Sequence, residues 1–392
     1  MHILVITSWY KSRINPYGGI FFEDHARMLQ RFGHKVAIFC VYHELRFLGE
    51  SRFSSPYSEG TFLDEGLITA YITTQSFWPR SHEPTFLDTY LFSFRCRRKF
   101  KEYCKEHGKP DIIHAHSSIW AGLLAYDIWK NYRIPYIISE HFSGWILKEQ
   151  LKKSLIYPTL LYRVLKNSSS SFVVSNFFKQ KLEDYYNLDS TLLKVMPNMV
   201  NQIFFDTPIK DLKDNQFIFL VVGNLVPLKN HSLIINAIHQ LNDPKVILRI
   251  AGSGKEENNL KLLAQELGIL DKLEFLGNLS RKELADALNQ IHVVISASQF
   301  ETFGLSLVEG MAMGRPVISA DSGGPRDFVN DFNGVILTNT SVACITHAMR
   351  NMMLNYSQYN PLVIRDFAFN NFSEESLYRR LVTTYKDIIL KC

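Results

Sequence analysis

Several features that would quickly assign a chain of this size are missing. Its 392 residues contain only five cysteines, Cys40, Cys96, Cys104, Cys344 and Cys392, and none stands at a Cys-x-x-Cys spacing. A disulfide framework and a cysteine-held metal are both disfavoured, and reduced thiols in a cytoplasmic setting are the simplest account. No apolar run approaches the roughly 20 residues that a bilayer-crossing helix needs. The stretch from Met1 to Thr7 is too short and uncharged for a signal peptide and reads as a first strand. Gly252-Ser-Gly254-Lys255 lacks the third glycine of a dinucleotide loop, which argues against a nicotinamide cofactor. No repeat at a solenoid period is present. What remains is a globular chain, 46% hydrophobic, large enough for two domains with separate cores.

Charge is scarce in net terms, +5 overall, but unevenly spread. Residues 1–205 hold 25 basic against 18 acidic side chains, and the remainder 18 against 20. Much of the basic excess lies in Phe94 to Lys105 and in Leu147 to Lys166, where Lys and Arg alternate with Leu, Ile, Phe and Tyr. That pattern suits an ordinary solvated face, or attraction to anionic lipid headgroups or a phosphate-bearing acceptor. Nucleic acid has no supporting motif.

Strand-like runs alternate with helical stretches throughout: His2–Thr7, Lys35–Tyr42, Asp111–Ala115, Tyr136–Ser139, Ser171–Val174, Phe217–Val222, Lys245–Ala251, Leu273–Phe275, Val293–Ala297 and Val317–Ala320. Such alternation predicts parallel sheets. The order restarts near residue 217 after a polar stretch from Asp206 to Asn215, so the fold class is α/β with two doubly wound domains facing across a cleft. The domains are expected at 1–205 and 206–371. A closing helix over 372–392 carries Leu377, Leu381, Tyr385, Ile388 and Ile389 at helical spacing and is expected to pack back on the first domain.

The most informative run is Glu301-Thr-Phe-Gly-Leu-Ser-Leu-Val-Glu309. It leaves a predicted strand at its carboxyl end, where open α/β sheets bind ligands. Gly304 lets the chain turn closely, and the helix that follows offers unpaired N–H groups and a positive dipole end to an anion. An isolated Glu309 would most often be a solvated residue. Its neighbours Leu305, Leu307, Val308, Met311, Ala312 and Met313 instead imply burial, and a buried carboxylate needs a partner or a ligand hydroxyl.

Other loops at strand carboxyl ends carry weaker signals. Gly223-Asn224 leads to Lys229, which can reach a phosphate as a point charge or simply decorate the surface. Gly18-Gly19 either approaches a phosphate or merely turns the chain. His114-Ala-His116 points both imidazoles to one face of a strand, but no third ligand is evident and no metal is expected. His141, after Ser139-Glu140, is the better candidate for a hydrogen bond to substrate.

Taken in order along nearly the whole chain, these motifs resemble the retaining glycosyltransferases of family 4, which share the two-domain GT-B fold. The resemblance rests on Glu301 and Glu309 with Phe303-Gly304, the Gly223 to Lys229 loop, Gly18-Gly19 with Gly33-His34-Lys-Val, Ser139-Glu-His141, Pro197-Asn198, and Ser322 to Asp327. It implies a nucleotide-diphosphate sugar in the C-terminal domain and a saccharide or lipid-linked glycan acceptor in the N-terminal one, with no cofactor and no metal. By the same resemblance, Glu301 would take the sugar hydroxyls and Glu309 the ribose hydroxyls. Lys229, Gly19 and the amides near Gly304 and Leu305 would take the diphosphate. The base would sit near Leu276-Gly277, with His141 close to the sugar. A role in cell-surface polysaccharide synthesis at the inner face of a membrane is the expectation.

The sequence departs from the family's usual pattern at Asn224, where Arg is common, at Met199, where Gly often stands, and at Asp327, where Glu is usual. The first removes a cationic fork and places more demand on Lys229. A nucleotide-sugar epimerase or hydrolase, or a catalytically lapsed sugar-nucleotide-binding subunit, are the alternative functions.

Overall fold

Runs of branched and aromatic residues with no polar alternation become strands covered on both faces. All six residues of His2–Thr7 are buried, as are all five of Ile112–His116 and of Tyr136–Glu140. Such strands belong to parallel sheets flanked by helices. The computed structural model describes residues 1–11, 18–44, 59–75, 86–147, 156–212 and 216–391. Residues 148–155 of the basic segment, Asn15 to Tyr17 and 213–215 of the polar stretch lie outside that range.

The described chain forms two compact units, Met1–Met196 with Tyr378–Cys392, and Pro197–Leu377. The division falls at Met196/Pro197, where the sequence reading put 205/206, because helix Gln202–Asp206 caps with Asn201 and buries Phe204 and Phe205 in the second unit.

The first unit holds an eight-stranded sheet in the order β3-β4-β2-β1-β5-β6-β7-β8. Its strands are β1 (His2–Thr7), β2 (Lys35–Glu44), β3 (Glu59–Asp64), β4 (Leu67–Gln75), β5 (Ile112–His116), β6 (Tyr136–Glu140), β7 (Ser170–Val173) and β8 (Lys194–Val195). All neighbours are parallel except β3 and β4. That antiparallel pair went unread in the sequence, although Asp64-Glu65-Gly66 between two β-rich runs is a hairpin signal. From Tyr378 onward, helix Glu374–Ile389 belongs to this unit. Tyr378 stacks on Phe32 at 3.9 Å between ring centroids, and the Tyr385 hydroxyl meets His114 Nδ1 at 2.6 Å.

The second unit holds a six-stranded parallel sheet in the order β11-β10-β9-β12-β13-β14. Its strands are β9 (Phe217–Val222), β10 (Val246–Ala251), β11 (Leu273–Gly277), β12 (Val293–Ser296), β13 (Val317–Ser319) and β14 (Gly334–Ile336). The order reverses at β9, with β10 on one side and β12 on the other, which makes the carboxyl ends of β9 and β12 a topological switch point. Phe219, Ile234, Ile238, Leu248, Ile250 and Ile295 fill the core on one face of this sheet.

The loops after β9 and β10 touch through glycine. Gly252 has φ +136, and a Cβ there would run into the Gly223 carbonyl oxygen. Both the backbone conformation and the close approach exclude a larger residue. Gly252→Ala is expected to destabilise the second unit by about 2 kcal/mol or more. A circular dichroism melt checks this; a melting temperature matching the parent protein's would show that the loops do not touch so closely.

Candidate functional site

Glu301 sits where two strands hand their loops to one another. Its N–H donates to the Ser322 carbonyl at 2.9 Å, and its own carbonyl accepts from Gly324 N at 3.0 Å. Phe303, 2% exposed, packs its ring against Phe328 and Phe372 and anchors the loop from below. Gly304, at φ +102, starts helix Leu305–Ala312 in a conformation that side chains resist. The first turn of any helix leaves N–H groups without intrahelical partners, here those of Leu305 and its neighbours.

From β9, the chain leaves through Gly223 and an exposed Asn224, is pinned by fully buried Leu225, and reaches Lys229 in a short 3-10 turn. The Lys229 stem passes over Gly223, so close that a Cβ on Gly223 would lie 3.7 Å from Lys229 Cε. Lys229 Nζ then meets Glu301 Oε1 at 2.5 Å. The two side chains are 24% and 18% exposed, so the pair is reachable from solvent yet shielded enough to be worth more than a surface ion pair. An ammonium has three donors and can hold a carboxylate and a phosphate together.

Glu309 is buried, as its apolar neighbours required, and its partner is the Arg281 guanidinium, bound to Glu309 Oε1. Arg281 opens helix Arg281–Leu288, which a Ser280–Glu283 capping box starts just beyond β11. Gly277 at the end of β11 accepts from Gly252 N at 2.7 Å, so Leu276 and Gly277 lie beside the β10 loop. The second unit thus assembles Gly223, Lys229, Glu301, Phe303, Gly304 and Leu305 at one edge of the sheet. Leu276, Gly277 and, through Arg281, Glu309 are placed around the end of β11.

Gly18, Gly19 and His141 belong to the first unit. Gly19 precedes helix Ile20–Arg31 at the carboxyl edge of β1. The next residues along, Phe21 and Phe22, face His141 with ring centroids 5.1 and 5.7 Å away, so these three candidates share one corner. The loop carrying His141 is held by Glu140, which is fully buried. Its Oε1 accepts from the backbone N–H of His141 (2.9 Å) and Phe142 (2.8 Å), its Oε2 from Ser118 N (2.7 Å) and Trp145 Nε1 (2.9 Å). Burial raises the pKa of the Glu140 carboxyl above the usual range, against the opposing pull of hydrogen bonds from Phe142, Ser118 and Trp145.

The expectation that no third imidazole accompanies His114 and His116 does not hold. His25, from helix Ile20–Arg31, joins them, with one nitrogen of each ring within 4.8 Å of the others. Parallel β1 and β5 are neighbours, and the helix after β1 packs across them; sequence distance hid a contact that topology makes. His25 Nδ1 meets His116 Nε2 at 2.9 Å, and His116 Nδ1 meets His141 Nε2 at 3.0 Å. His114 bonds Tyr385 and, at 2.8 Å, Ser139 Oγ. Burial lowers the pKa of His25 to about 3 and holds those of His114 and His116 well below the ordinary histidine value.

Two family models match the chain: Glycosyltransferase Family 4 over residues 18–202 and Glycosyl transferases group 1 over residues 203–363. The chain belongs to glycosyltransferase family 4. Relatives of the family include D-inositol 3-phosphate glycosyltransferase of Mycolicibacterium smegmatis, 28% identical over 61% of this chain and 58% of that protein. Alpha-monoglucosyldiacylglycerol synthase of Streptococcus pneumoniae is 28% identical over 58% of this chain and 55% of its own length. The chain therefore spans less than two thirds of these two relatives. Among solved structures, sucrose-phosphate synthase from Thermosynechococcus elongatus superposes with a TM-score of 0.75 at 16% identity, covering all of both chains. Anabaena Alr3699/HepE in complex with UDP gives 0.74 at 16% identity over 99% of this chain and 100% of its own. Both confirm the GT-B fold of this family member.

The sequence reading missed Arg281, although the Ser280-x-x-Glu283 box marked a helix start at that point. It also gave no role to Glu140, whose contact with Ser118 crosses from another strand, or to His25, whose partner His116 is far along the chain. The sequence of the second unit, Pro197–Leu377, contains no tryptophan, so tryptophan emission does not report that unit. As pH falls below about 6.5, the unfolded chain protonates histidines that the fold keeps neutral. Stability is then present in full above that value and declines as pH falls toward the folded value of about 3 for His25, by about 1.4 kcal/mol per unit for each such ring. Urea titrations followed by tryptophan emission should show the midpoint dropping between pH 7 and 5; a constant midpoint would mean the rings are not buried neutral.

Proposed function

We propose that the protein is a retaining glycosyltransferase that moves a sugar from a nucleotide-diphosphate sugar to a saccharide or lipid-linked glycan acceptor, without a metal. The contact that carries this reading is Lys229 against Glu301 at 2.5 Å, beside the open amides of the helix that Gly304 begins. A cation and a helix tip together supply positive charge for a diphosphate, and the adjacent carboxylate supplies acceptors for sugar hydroxyls. Glu309, oriented by Arg281, serves the ribose hydroxyls, and Leu276 with Gly277 flanks the base. Asn224 points to solvent, so Lys229 and the helix amides bear the phosphate charge without a guanidinium fork. Gly18, Gly19 and His141 take their substrate-contacting roles from the family resemblance.

In the proposed reaction the bond from the anomeric carbon to the diphosphate oxygen breaks as the acceptor oxygen bonds the same face of that carbon. The acceptor's proton passes to the departing diphosphate, whose negative charge Lys229 and the helix amides stabilise. No protein base is required. A glycosidase would need two carboxylates flanking one scissile bond, whereas Glu309 is buried on Arg281 and Glu301 is paired with Lys229. An epimerase or hydrolase, or a lapsed binding subunit, would use the same phosphate seat without an acceptor.

A thermal-shift panel of nucleoside diphosphates and nucleotide sugars identifies the donor, since a ligand of the native state raises the melting temperature by mass action. With that donor, Glu301→Ala should lower transfer by about 10²-fold or more while the melting temperature of the free protein changes little. Normal transfer by that variant would remove Glu301 from the site, and donor breakdown without any acceptor would favour the hydrolase reading.

The proposed lipid-linked acceptor draws support from the streptococcal relative, whose name specifies a diacylglycerol product, and from helix Phe86–His107. One of its faces buries Phe92, Cys96, Phe100 and Tyr103, while Tyr90 and Phe94, 62% and 55% exposed, line up with Lys101 and Lys105 outside. Among the described residues no helix is long and apolar enough to cross a membrane, so contact with a lipid surface would be peripheral. Co-sedimentation with anionic vesicles is expected at low salt and should fade as salt rises, more readily in Phe94→Ser. Protein that stays in the supernatant at low salt would rule the membrane out.

A further inference from the structure

One residue closes two helices of the second unit. The helix that carries Glu309 ends in a left-handed turn at Gly314 (φ +69), where Gly314 N–H donates to the Met311 carbonyl and Arg315 N–H reaches back to the Gly310 carbonyl, both at 2.9 Å. Those two bonds close the helix end on its own backbone. The Arg315 side chain closes the neighbouring helix, Arg281–Leu288, at its C-terminal end: Nε donates to Leu288 O at 3.1 Å and Nη2 to Asn289 O at 3.2 Å. Nη2 also meets Lys210 O at 3.1 Å and Asn289 Oδ1 at 3.4 Å.

Arg315 is 2% exposed, and each of those acceptors is a carbonyl oxygen rather than a carboxylate. Burying a cation on such terms is costly, and it is tolerated here because the last carbonyls of a helix lack partners and carry the negative end of its dipole. Lysine is no substitute. Its ammonium is a single point of charge, whereas the guanidinium reaches separate carbonyls with Nε and Nη2.

The two helices are thereby joined twice. Arg281, at the start of one, binds Glu309 in the other, and Arg315 binds the far end of the first. An eight-residue helix, about 12 Å long, that is held at both ends has little freedom to slide or tilt against its neighbour. Gly310 restricts the remaining direction, since it lies so close to β12 that a Cβ there would fall 2.5 Å from Val294 Cγ2. We propose that Arg315 is a positioning residue for the donor's ribose: by locking the two helices it holds the Arg281–Glu309 pair in register, so that the Glu309 carboxylate keeps its aim at the ribose hydroxyls. The inference rests on the ribose role proposed for Glu309 above; the brace itself does not.

The test is isothermal titration calorimetry of UDP, ADP and GDP, and of their 2′,3′-dideoxy counterparts, with the parent protein, Arg315→Met and Arg315→Lys. The parent should bind one ribonucleotide about tenfold or more tightly than its dideoxy counterpart, and Glu309→Ala should abolish that preference. A parent that binds none of them, or ignores the hydroxyls, would overturn the ribose reading and the positioning role with it. Where the parent discriminates, Arg315→Met should weaken the ribonucleotide about tenfold while the dideoxy affinity stays within about twofold. Arg315→Lys, which keeps the charge but not the fork, should fall between. In Glu309→Ala, adding Arg315→Met should leave the ratio as it is. Equal weakening of both ligands, or an unchanged ratio in both Arg315 variants, would reduce Arg315 to a structural cap and overturn the proposal on its own, with the ribose reading intact. Both Arg315 variants are expected to melt below the parent; should Arg315→Met fail to fold, the lysine variant carries the same comparison.

Discussion

A parallel sheet sends every strand's carboxyl end to one edge, and its loops must satisfy their polar groups there. At β12 that constraint is met by Glu301, whose backbone bonds Ser322 and Gly324 and whose side chain bonds Lys229 from the β9 loop. The helix starting at Gly304 inherits its position from that fixed loop, and its open amides point where the loop aims them. Were Glu301 displaced, the cation, the helix tip and the carboxylate would cease to be one site. The topological switch at β9 makes the encounter possible, since β9 and β12 are sheet neighbours although Lys229 and Glu301 are far apart in sequence.

The two buried carboxylates illustrate how burial is made tolerable. Glu140 is satisfied by four N–H donors and holds the His141 loop, while Glu309 is satisfied by a guanidinium and holds its place in a helix that is apolar almost all round. In both cases the cost of desolvation is offset by hydrogen bonds that also orient neighbouring groups. The histidine cluster follows the same logic with neutral rings: His114 and His116 are each hydrogen-bonded at both nitrogens, and burial keeps them and His25 uncharged.

Much of this was legible in the chain. Strand β9 falls where the pattern predicts it, and the apolar company of Glu309 correctly announced its burial, because a helix with no polar face has nowhere else to put a carboxylate. The terminal helix was readable from Leu377, Leu381 and Tyr385 at helical spacing. The hairpin of β3 and β4 was passed over because its strands alternate weakly and its outer strand is half exposed.

Periodicity, glycine placement and the ordered motifs determined the α/β class, the family and the loops that carry chemistry, since those depend on local backbone preference and on which faces must be buried. Only the tertiary structure decided which distant groups meet: Arg281 with Glu309, Glu140 with the loop after β5, and His25 with His116. Such pairings depend on strand order and on how helices cross the sheet, and a one-dimensional pattern of apolar and polar residues carries no record of either.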